Sequence, residues 1–228
     1  MSLAPKPRSL AAIYKSIRSI LDWHALRNYC LAQDDWPASR RSGRAERFGS
    51  PVPWWAYSCT AFLDQVVPTT ARVLELGTGG STLWWLNRGN SVTAVESSSE
   101  WVDKIRSGPG GNSGRLSLVN ADPDDTEALE LLLKDQEFDV VVVDHSGDRA
   151  TAVRSLTSHV AVDGLLVLDN ADRLEYSAGL RDLAAAGFTR LDFSGMAPIN
   201  AYAGVTTVAF RSGMWIRGRS AAFVTVEN

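Results

Sequence analysis

From residue 71 onward, two kinds of hydrophobic pattern alternate along the chain. Short, nearly continuous apolar runs predict buried strands, and segments in which apolar residues recur every three or four positions predict helices. The predicted strands are 72–76, 91–96, 116–119, 138–144, 164–169, 189–193 and 206–211. The predicted helices are 82–87, 100–107, 124–134, 150–159 and 174–186. The sequence therefore predicts an α/β domain.

The order of these elements predicts how the strands pair. Strands separated by helices of this length favour a mainly parallel sheet that helices cover on both faces. The connection 194–205 between the last two strands has no helical pattern. Such a short connection fits an antiparallel hairpin better than a right-handed crossover. We predict a doubly wound, Rossmann-like sheet of seven strands, in which five parallel strands are followed by an antiparallel pair.

Two stretches precede this domain. Residues 9–31 have a helical period of apolar side chains, at Leu10, Ile13, Ile17, Ile20, Leu21 and Leu26. We expect a helix that either caps the core or packs on a partner chain, which would make the protein a homo-oligomer. Residues 33–50 are polar and contain Arg40, Arg41, Arg44 and Arg47. We expect a loop there, either simply solvated or acting as a lid that handles an acidic substrate.

These patterns divide the chain into three parts. Residues 1–50 form a helical extension with an arginine-rich loop, 51–211 form the sheet domain, and 212–228 form a tail. The tail is a strand, a docking arm or disordered, and the sequence does not choose among the three. Trp54 and Trp55 precede a predicted helix at 57–67 and are either core residues or a wall of the substrate pocket.

Composition excludes several classes of protein. A net charge of −3 and a pI near 5.6 do not indicate a nucleic-acid binder. The two cysteines cannot form a disulfide framework, and no Cys-x-x-Cys pair predicts a zinc site. No apolar run approaches the roughly 18 residues of a membrane span, and the first residues lack the apolar core of a signal peptide. We expect a cytoplasmic protein with no membrane partner.

The first strand of the domain leads an acid into a glycine turn. Glu75 precedes Gly77 and Gly79, and the next predicted strand ends at a second acid, Glu96. This order is typical of a nucleotide-type cofactor site at the carboxyl ends of parallel strands. A dinucleotide fingerprint would have a third glycine where Thr82 stands. Because a carboxylate at Glu75 would repel a pyrophosphate but accept a hydrogen bond from an ammonium group, the turn favours a cofactor with an amino-acid end over NAD.

At this turn the chain resembles the class I S-adenosylmethionine-dependent methyltransferases. Their first motif is acid-x-Gly-x-Gly-x-Gly, and the chain matches it from Glu75 to Gly79, with Ser81 in place of the final glycine. The family's ribose-binding acid matches Glu96 and its adenine-side acid matches Asp122. The resemblance implies S-adenosylmethionine as the cofactor. The residues that it implies at the cofactor are Glu75, Gly77, Thr78, Gly79, Ser81, Glu96, Ser97, Asp122 and Asp144.

A narrower resemblance is to the cation-dependent O-methyltransferases of the catechol type. It implies a Mg²⁺ site at Asp144, Asp169 and Asn170, where the metal would lower the pKa of a bound hydroxyl. Gly147 stands where those enzymes have a lysine, so a general base would have to be another group. We name Asp144 and His145 as the candidate catalytic residues.

The sequence therefore favours transfer of a methyl group to a small-molecule acceptor, with oxygen as the preferred acceptor atom. We expect the acceptor beyond Asp144, between the arginine-rich loop, the two tryptophans and the 194–205 connection. An ion pair between Asp148 and Arg149 would close the loop over the site. Two alternatives remain open: a non-catalytic binding module with the same fold, and a nicotinamide-dependent oxidoreductase, which Thr82 and Glu75 disfavour.

Overall fold

The computed structural model describes residues 10–108 and 110–211. The predicted tail at 212–228 lies outside these residues. The helices are α1 (Leu10–Asp34), α2 (Trp36–Ser42), α3 (Tyr57–Val66), α4 (Gly80–Arg88), α5 (Ser99–Ser107), α6 (Thr126–Leu133), α7 (Arg149–Leu156) and α8 (Ser177–Ala185). The strands are β1 (Glu46–Arg47), β2 (Ser50–Pro51), β3 (Arg72–Leu76), β4 (Ser91–Glu96), β5 (Leu116–Asn120), β6 (Phe138–Val143), β7 (Val160–Asp169), β8 (Thr189–Met196) and β9 (Ala203–Phe210).

The predicted seven-stranded sheet is confirmed, with the strand order β5-β4-β3-β6-β7-β9-β8. The five strands from β3 to β7 run parallel, whereas β9 pairs antiparallel with both β7 and β8. The last two strands are joined directly, as the missing helical pattern predicted. This register places Asp169, at the end of β7, opposite Thr206 of β9.

The sheet lies between two apolar layers because its central strand is apolar on both faces. Val140 and Val142 of β6 pack in one layer with residues of α3 and α4. Val141 and Val143 pack in the other layer with residues of α6, α7 and α8. All four valines are fully buried, and a strand that is buried on both faces is expected to read as a continuous apolar run.

The prediction of a loop at residues 33–50 was wrong. This stretch contains α2 and the small antiparallel hairpin of β1 and β2. The helix is held by distant contacts that no local pattern reveals: the indole Nε1 of Trp36 donates to the backbone O of Asn200 at 2.7 Å, and the hydroxyl of Ser39 accepts from the backbone N of Ile199 at 3.0 Å. Residues before position 51 therefore pack on the sheet domain, and the predicted division at residue 50 does not coincide with a gap in packing.

The long helix α1 does not cap the core. Between residues 14 and 29 of this helix, seven large apolar side chains are each more than half exposed: Tyr14, Ile17, Ile20, Leu21, Trp23, Leu26 and Tyr29. Packing of α1 on a partner chain stays a prediction. Within residues 10–108 and 110–211, no helix combines the length and the hydropathy that a membrane span requires.

The hairpin of β1 and β2 explains one glycine of the turn after β3. A Cβ atom added to Gly80 would lie 2.3 Å from the backbone O of Val52, immediately after β2. At the neighbouring Gly79, an added Cβ would meet no atom within 4 Å. Gly80 is therefore required for packing inside the protein, whereas Gly79 faces open space.

We expect Gly80→Ala to lower the free energy of unfolding by about 1–3 kcal/mol, because the hairpin must shift to admit the methyl group. Gly79→Ala is the matched control and should change stability by less than about 0.5 kcal/mol. Urea unfolding of both variants checks the difference. Equal stabilities of the two variants would contradict the packing that we describe for Gly80.

Candidate active site

The predicted acids meet at one edge of the sheet because each stands at or after the carboxyl end of a parallel strand. Five strands contribute one acid each: Glu75 in β3, Glu96 at the end of β4, Asp122 after β5, Asp144 after β6 and Asp169 at the end of β7. The predicted grouping of these strand ends is confirmed by the topology.

The glycine turn after β3 packs against the end of β6. Gly77 has a φ of 87°, which favours glycine, and its backbone N donates to the backbone O of Val95 at 2.9 Å. A Cβ atom added there would lie 2.9 Å from the Cα of His145. The turn thus needs glycine at position 77 for both conformation and space, and it leaves Gly79 on the open side, where a bound cofactor would approach.

Glu75 is buried and is tied to the turn through Thr82. The hydroxyl of Thr82 donates to Oε2 of Glu75 at 2.5 Å and accepts from the backbone N of Gly79 at 3.1 Å. Burial raises the pKa of Glu75 to about 8, against the opposing effect of the Ser81 and Thr82 hydroxyls. Its second oxygen, Oε1, is buried and has no hydrogen-bond partner among the described residues.

Sequence reasoning used Thr82 only as a missing glycine. The structure gives it a positive role, since its hydroxyl links the acid of β3 to the turn. Ser81, which replaces the final glycine of the methyltransferase motif, is buried at the start of α4 with its hydroxyl beside Glu75. Both departures from a glycine motif therefore place hydroxyl groups around a buried carboxyl group.

Glu96 organises the same turn from the neighbouring strand. Its Oε2 accepts hydrogen bonds from the backbone N and the hydroxyl of Thr78, both at 2.9 Å, and its Oε1 accepts from the backbone N of Ser98 at 2.8 Å. Ser97 is exposed beside it. A carboxylate held in this way has a fixed orientation and retains lone pairs for further donors.

The adenine-side acid predicted after β5 is exposed. Oδ1 of Asp122 accepts from the backbone N of Asp124 at 3.0 Å, which shapes the turn before α6. Asp124, which sequence reasoning missed, accepts in turn from the backbone N of Asp148 at 2.9 Å. This link joins the loops that follow β5 and β6.

His145 belongs to this linked pair of loops. Its ring is almost fully buried, with Nε2 lying 3.0 Å from Oδ1 of Asp124, and burial lowers its pKa. A Cβ atom on Gly147 would lie 2.3 Å from Oδ2 of the same Asp124. Asp124 therefore stands where a side chain at position 147 would begin, which is a physical reason for glycine instead of lysine. The geometry gives no support to His145 as a base for the acceptor, because its ring is engaged on the β5 side.

The three predicted metal ligands surround an arginine. Arg149, the first residue of α7, places its Nη2 3.0 Å from Oδ1 of Asp144. Its Nη1 donates to the backbone O of Asp169 at 2.8 Å and to Oδ1 of Asn170 at 3.3 Å. Asp148 does not pair with Arg149 as predicted; it caps α7 by accepting from the backbone N of Ala150 and Thr151.

These residues do not fit a magnesium site, because the guanidinium of Arg149 already contacts Oδ1 of Asp144 and Oδ1 of Asn170, and it reaches Asp169 at its backbone O. Within the described ranges, no group of three or more His, Cys, Asp or Glu side chains is arranged to hold a metal ion. Asp169 is buried, its Oδ1 accepts from the hydroxyl of Thr206 at 2.6 Å, and burial with the nearby charge of Asp144 raises its pKa to about 7.

The predicted acceptor side is assembled from distant segments. Trp55 is fully buried in the core, and its Nε1 donates to Oδ2 of Asp144 at 2.9 Å, so it is a core residue that also reaches the site. Trp54 is about half exposed (47%). The arginine-rich stretch meets the connection after β8, where Nη1 of Arg40 donates to the backbone O of Ile199 at 2.9 Å.

This is the Rossmann-like fold of the class I S-adenosylmethionine-dependent methyltransferases. An O-methyltransferase of Bacillus cereus, solved in complex with SAH, has the same fold with a TM-score of 0.58 and 17% identity, over 81% of this chain and 96% of that one. A candidate O-methyltransferase of Klebsiella pneumoniae matches with a TM-score of 0.58 and 18% identity, over 82% of this chain and 96% of that one. The resemblance found in the sequence is thus confirmed at the level of the fold.

A spermidine synthase of Thermotoga maritima also has this fold, with a TM-score of 0.54 and 16% identity over 67% of this chain and 58% of that one. No protein-family model matches the sequence, and no curated protein is significantly similar to it. Because proteins named for different reactions share the fold, the fold alone does not decide which group would be transferred.

The raised pKa of Glu75 determines how this residue contributes to stability at different pH values. A pKa near 8 in the folded protein, against about 4.5 in the unfolded chain, means that the folded state binds more protons between these pH values. The contribution of Glu75 to stability is therefore largest below pH 4.5 and is lost as the pH rises toward 8.

We expect Glu75→Gln to gain stability over the wild type as the pH rises from 5 to 8, by about 2–4 kcal/mol across this range. Glu127→Gln, an exposed acid in the first turn of α6, is the control and should show no such trend. Urea unfolding at several pH values measures both differences. A constant difference between Glu75→Gln and the wild type would contradict a raised pKa at Glu75.

Proposed function

We propose that the protein is an S-adenosylmethionine-dependent methyltransferase that acts on a small-molecule acceptor, with oxygen as the preferred acceptor atom. The bond between the cofactor's positively charged sulfur and the methyl group would break as the methyl group bonds to the acceptor oxygen by in-line displacement, leaving the electron pair on sulfur, and the acceptor's proton would pass to water. Such a reaction depends chiefly on positioning and on exclusion of water, so it requires no nucleophile from the protein.

One observation carries this proposal. Oε1 of Glu75 is a buried carboxyl oxygen without a partner among the described residues, and it lies in the strand that leads into the open glycine turn. A buried polar group without a partner is costly. The ammonium group of the cofactor's methionine part would supply the missing donor and positive charge, whereas a pyrophosphate would supply neither.

The other cofactor contacts follow from the same edge of the sheet. The oriented carboxylate of Glu96 would accept hydrogen bonds from the ribose hydroxyls, with Ser97 beside it. Asp122 would lie on the adenine side, and Gly77 to Gly79 would pass close to the methionine part. Asp144 would lie at the boundary between cofactor and acceptor, where Trp55 and Arg149 fix its orientation.

Calorimetric titration with S-adenosylmethionine, S-adenosylhomocysteine and NAD tests this proposal against the alternatives. We expect both sulfur compounds to bind and NAD to show no heat. Binding of NAD alone would favour the oxidoreductase alternative, and binding of none would favour a non-catalytic module. Turnover with panels of hydroxyl and amine acceptors would then test the preferred acceptor atom.

We expect Glu96→Ala to weaken binding of S-adenosylmethionine by at least about tenfold, because the ribose hydroxyls lose their acceptor. Glu100→Ala is the matched control, since it removes an exposed acid in the first turn of α5. Unchanged affinity of Glu96→Ala would show that the ribose assignment is wrong, provided that circular dichroism shows a folded variant.

We also infer that a second copy of the chain covers α1. Seven large apolar side chains of this helix are each more than half exposed, and exposed apolar surface of this extent is typical of an interaction site. Ile17 and Leu21 are one helical turn apart, and Lys15 and Ser19 lie on the opposite side of the helix.

We expect the wild type to sediment as a dimer and Ile17→Glu/Leu21→Glu to sediment as a monomer at the same concentration. Lys15→Glu/Ser19→Glu, which adds the same number of acids, is the control and should remain dimeric. A monomeric wild type would contradict this inference without affecting the proposed chemistry.

A further inference from the structure

The most unusual feature of the acceptor side is a buried arginine between acids. Arg149 is only 7% exposed. Four of its five N–H donors have partners: Nε donates to the backbone O of His145 at 2.8 Å, two donors of Nη1 reach Asp169 and Asn170, and Nη2 reaches Asp144. The ring of Tyr176 lies 5.4 Å from the guanidinium carbon.

The position of this guanidinium is fixed by the fold. Arg149 is the first residue of α7, and the preceding Asp148 caps the helix with two backbone hydrogen bonds. Its partners stand at the ends of β6 and β7, which are adjacent in the sheet. The side chain therefore joins two strand ends in the same way that a bound ion would.

Arg149 also supplies a positive charge beside two carboxyl groups. Asp144 and Asp169 stand at the ends of adjacent strands, where two carboxylates repel each other, so a positive charge beside both is favoured. A divalent cation would satisfy the same carboxylates. It cannot share the place with the guanidinium, because two positive charges a few ångströms apart repel each other strongly in a buried setting.

We propose that Arg149 takes the place of a divalent cation, so that the carboxylate of Asp144 is joined to the end of β7 without a bound metal. This assignment does not depend on methyl transfer, because it concerns the charge between two strand ends. It also predicts which acceptors suit the site. A guanidinium with four of five donors engaged offers no pair of open coordination positions, so an acceptor with a single hydroxyl would serve as well as a vicinal diol.

Binding of Mn²⁺, followed by its electron paramagnetic resonance signal, tests the proposal. We expect no bound Mn²⁺ in the wild type at millimolar concentrations, and one bound ion per chain in Arg149→Ala, where the carboxylates face an open space. Removing one ligand in Arg149→Ala/Asp144→Asn should weaken that binding by at least about tenfold. Arg154→Ala is the matched control, because it removes an exposed arginine of the same helix that pairs with Asp182, and it should bind no Mn²⁺.

Thermal unfolding provides a second readout. Mn²⁺ should raise the Tm of Arg149→Ala and leave the Tm of the wild type and of Arg154→Ala unchanged. Arg149→Lys keeps a positive charge but not the planar fork, so it should retain a Tm between those of the wild type and Arg149→Ala and bind no Mn²⁺.

Two outcomes would overturn the proposal. Stoichiometric binding of Mn²⁺ by the wild type would show that the arginine leaves room for a metal, and this experiment needs no variant. A folded Arg149→Ala that binds no Mn²⁺ would show that these oxygens cannot form a metal site at all. If Arg149→Ala folds only when Mn²⁺ is present during refolding, that result supports the replacement. If Arg149→Ala does not fold with or without the ion, Arg149→Lys decides: absence of bound Mn²⁺ in a folded Arg149→Lys supports the proposal, and bound Mn²⁺ contradicts it.

Discussion

The structure depends on the gathering of acidic side chains at one edge of a parallel sheet. Four largely buried carboxyl groups, Glu75, Glu96, Asp144 and Asp169, stand at neighbouring strand ends. Each needs a partner, because burial of an unpaired charge is costly. Hydroxyl groups, backbone N–H groups and one arginine supply these partners. The loops at this edge therefore carry the hydrogen-bond donors that these carboxyl groups require.

The partners of these carboxyl groups differ between the proposed cofactor side and the proposed acceptor side. On the cofactor side, Glu96 is held by neutral donors from Thr78 and Ser98, and Glu75 keeps one buried oxygen without a partner. On the proposed acceptor side, each oxygen of Asp144 has one partner, from Trp55 or from Arg149. A carboxyl oxygen without a partner therefore remains where a cationic ligand would bind, whereas the carboxylate beside the acceptor already has a positively charged partner.

Much of this arrangement could be predicted from the sequence. The alternation of strand and helix periods gave the sheet and its antiparallel end, and the acids could be placed at strand ends because parallel strands share one carboxyl edge. The metal assignment failed for a specific reason. Asp144, Asp169 and Asn170 were judged as ligands by type and spacing, whereas the side chain that reaches them comes from Arg149 at the start of the next helix. Only the fold brings that side chain back toward β7.

The helix α2 was missed for a similar reason, because Trp36 and Ser39 are anchored by residues more than 150 positions away.

That long-range anchoring bears on how the molecule assembles. The contacts of α2 with Ile199 and Asn200 span 160 and 164 positions of sequence, and a loop of that length closes late, because its entropy cost is met before any contact offsets it. The hydrogen bond between Thr78 and Glu96, which holds the glycine turn after β3, spans only 18 positions. The turn at the proposed cofactor site thus has a contact that is local in sequence, whereas the segments at the proposed acceptor side meet only through contacts between distant parts of the chain.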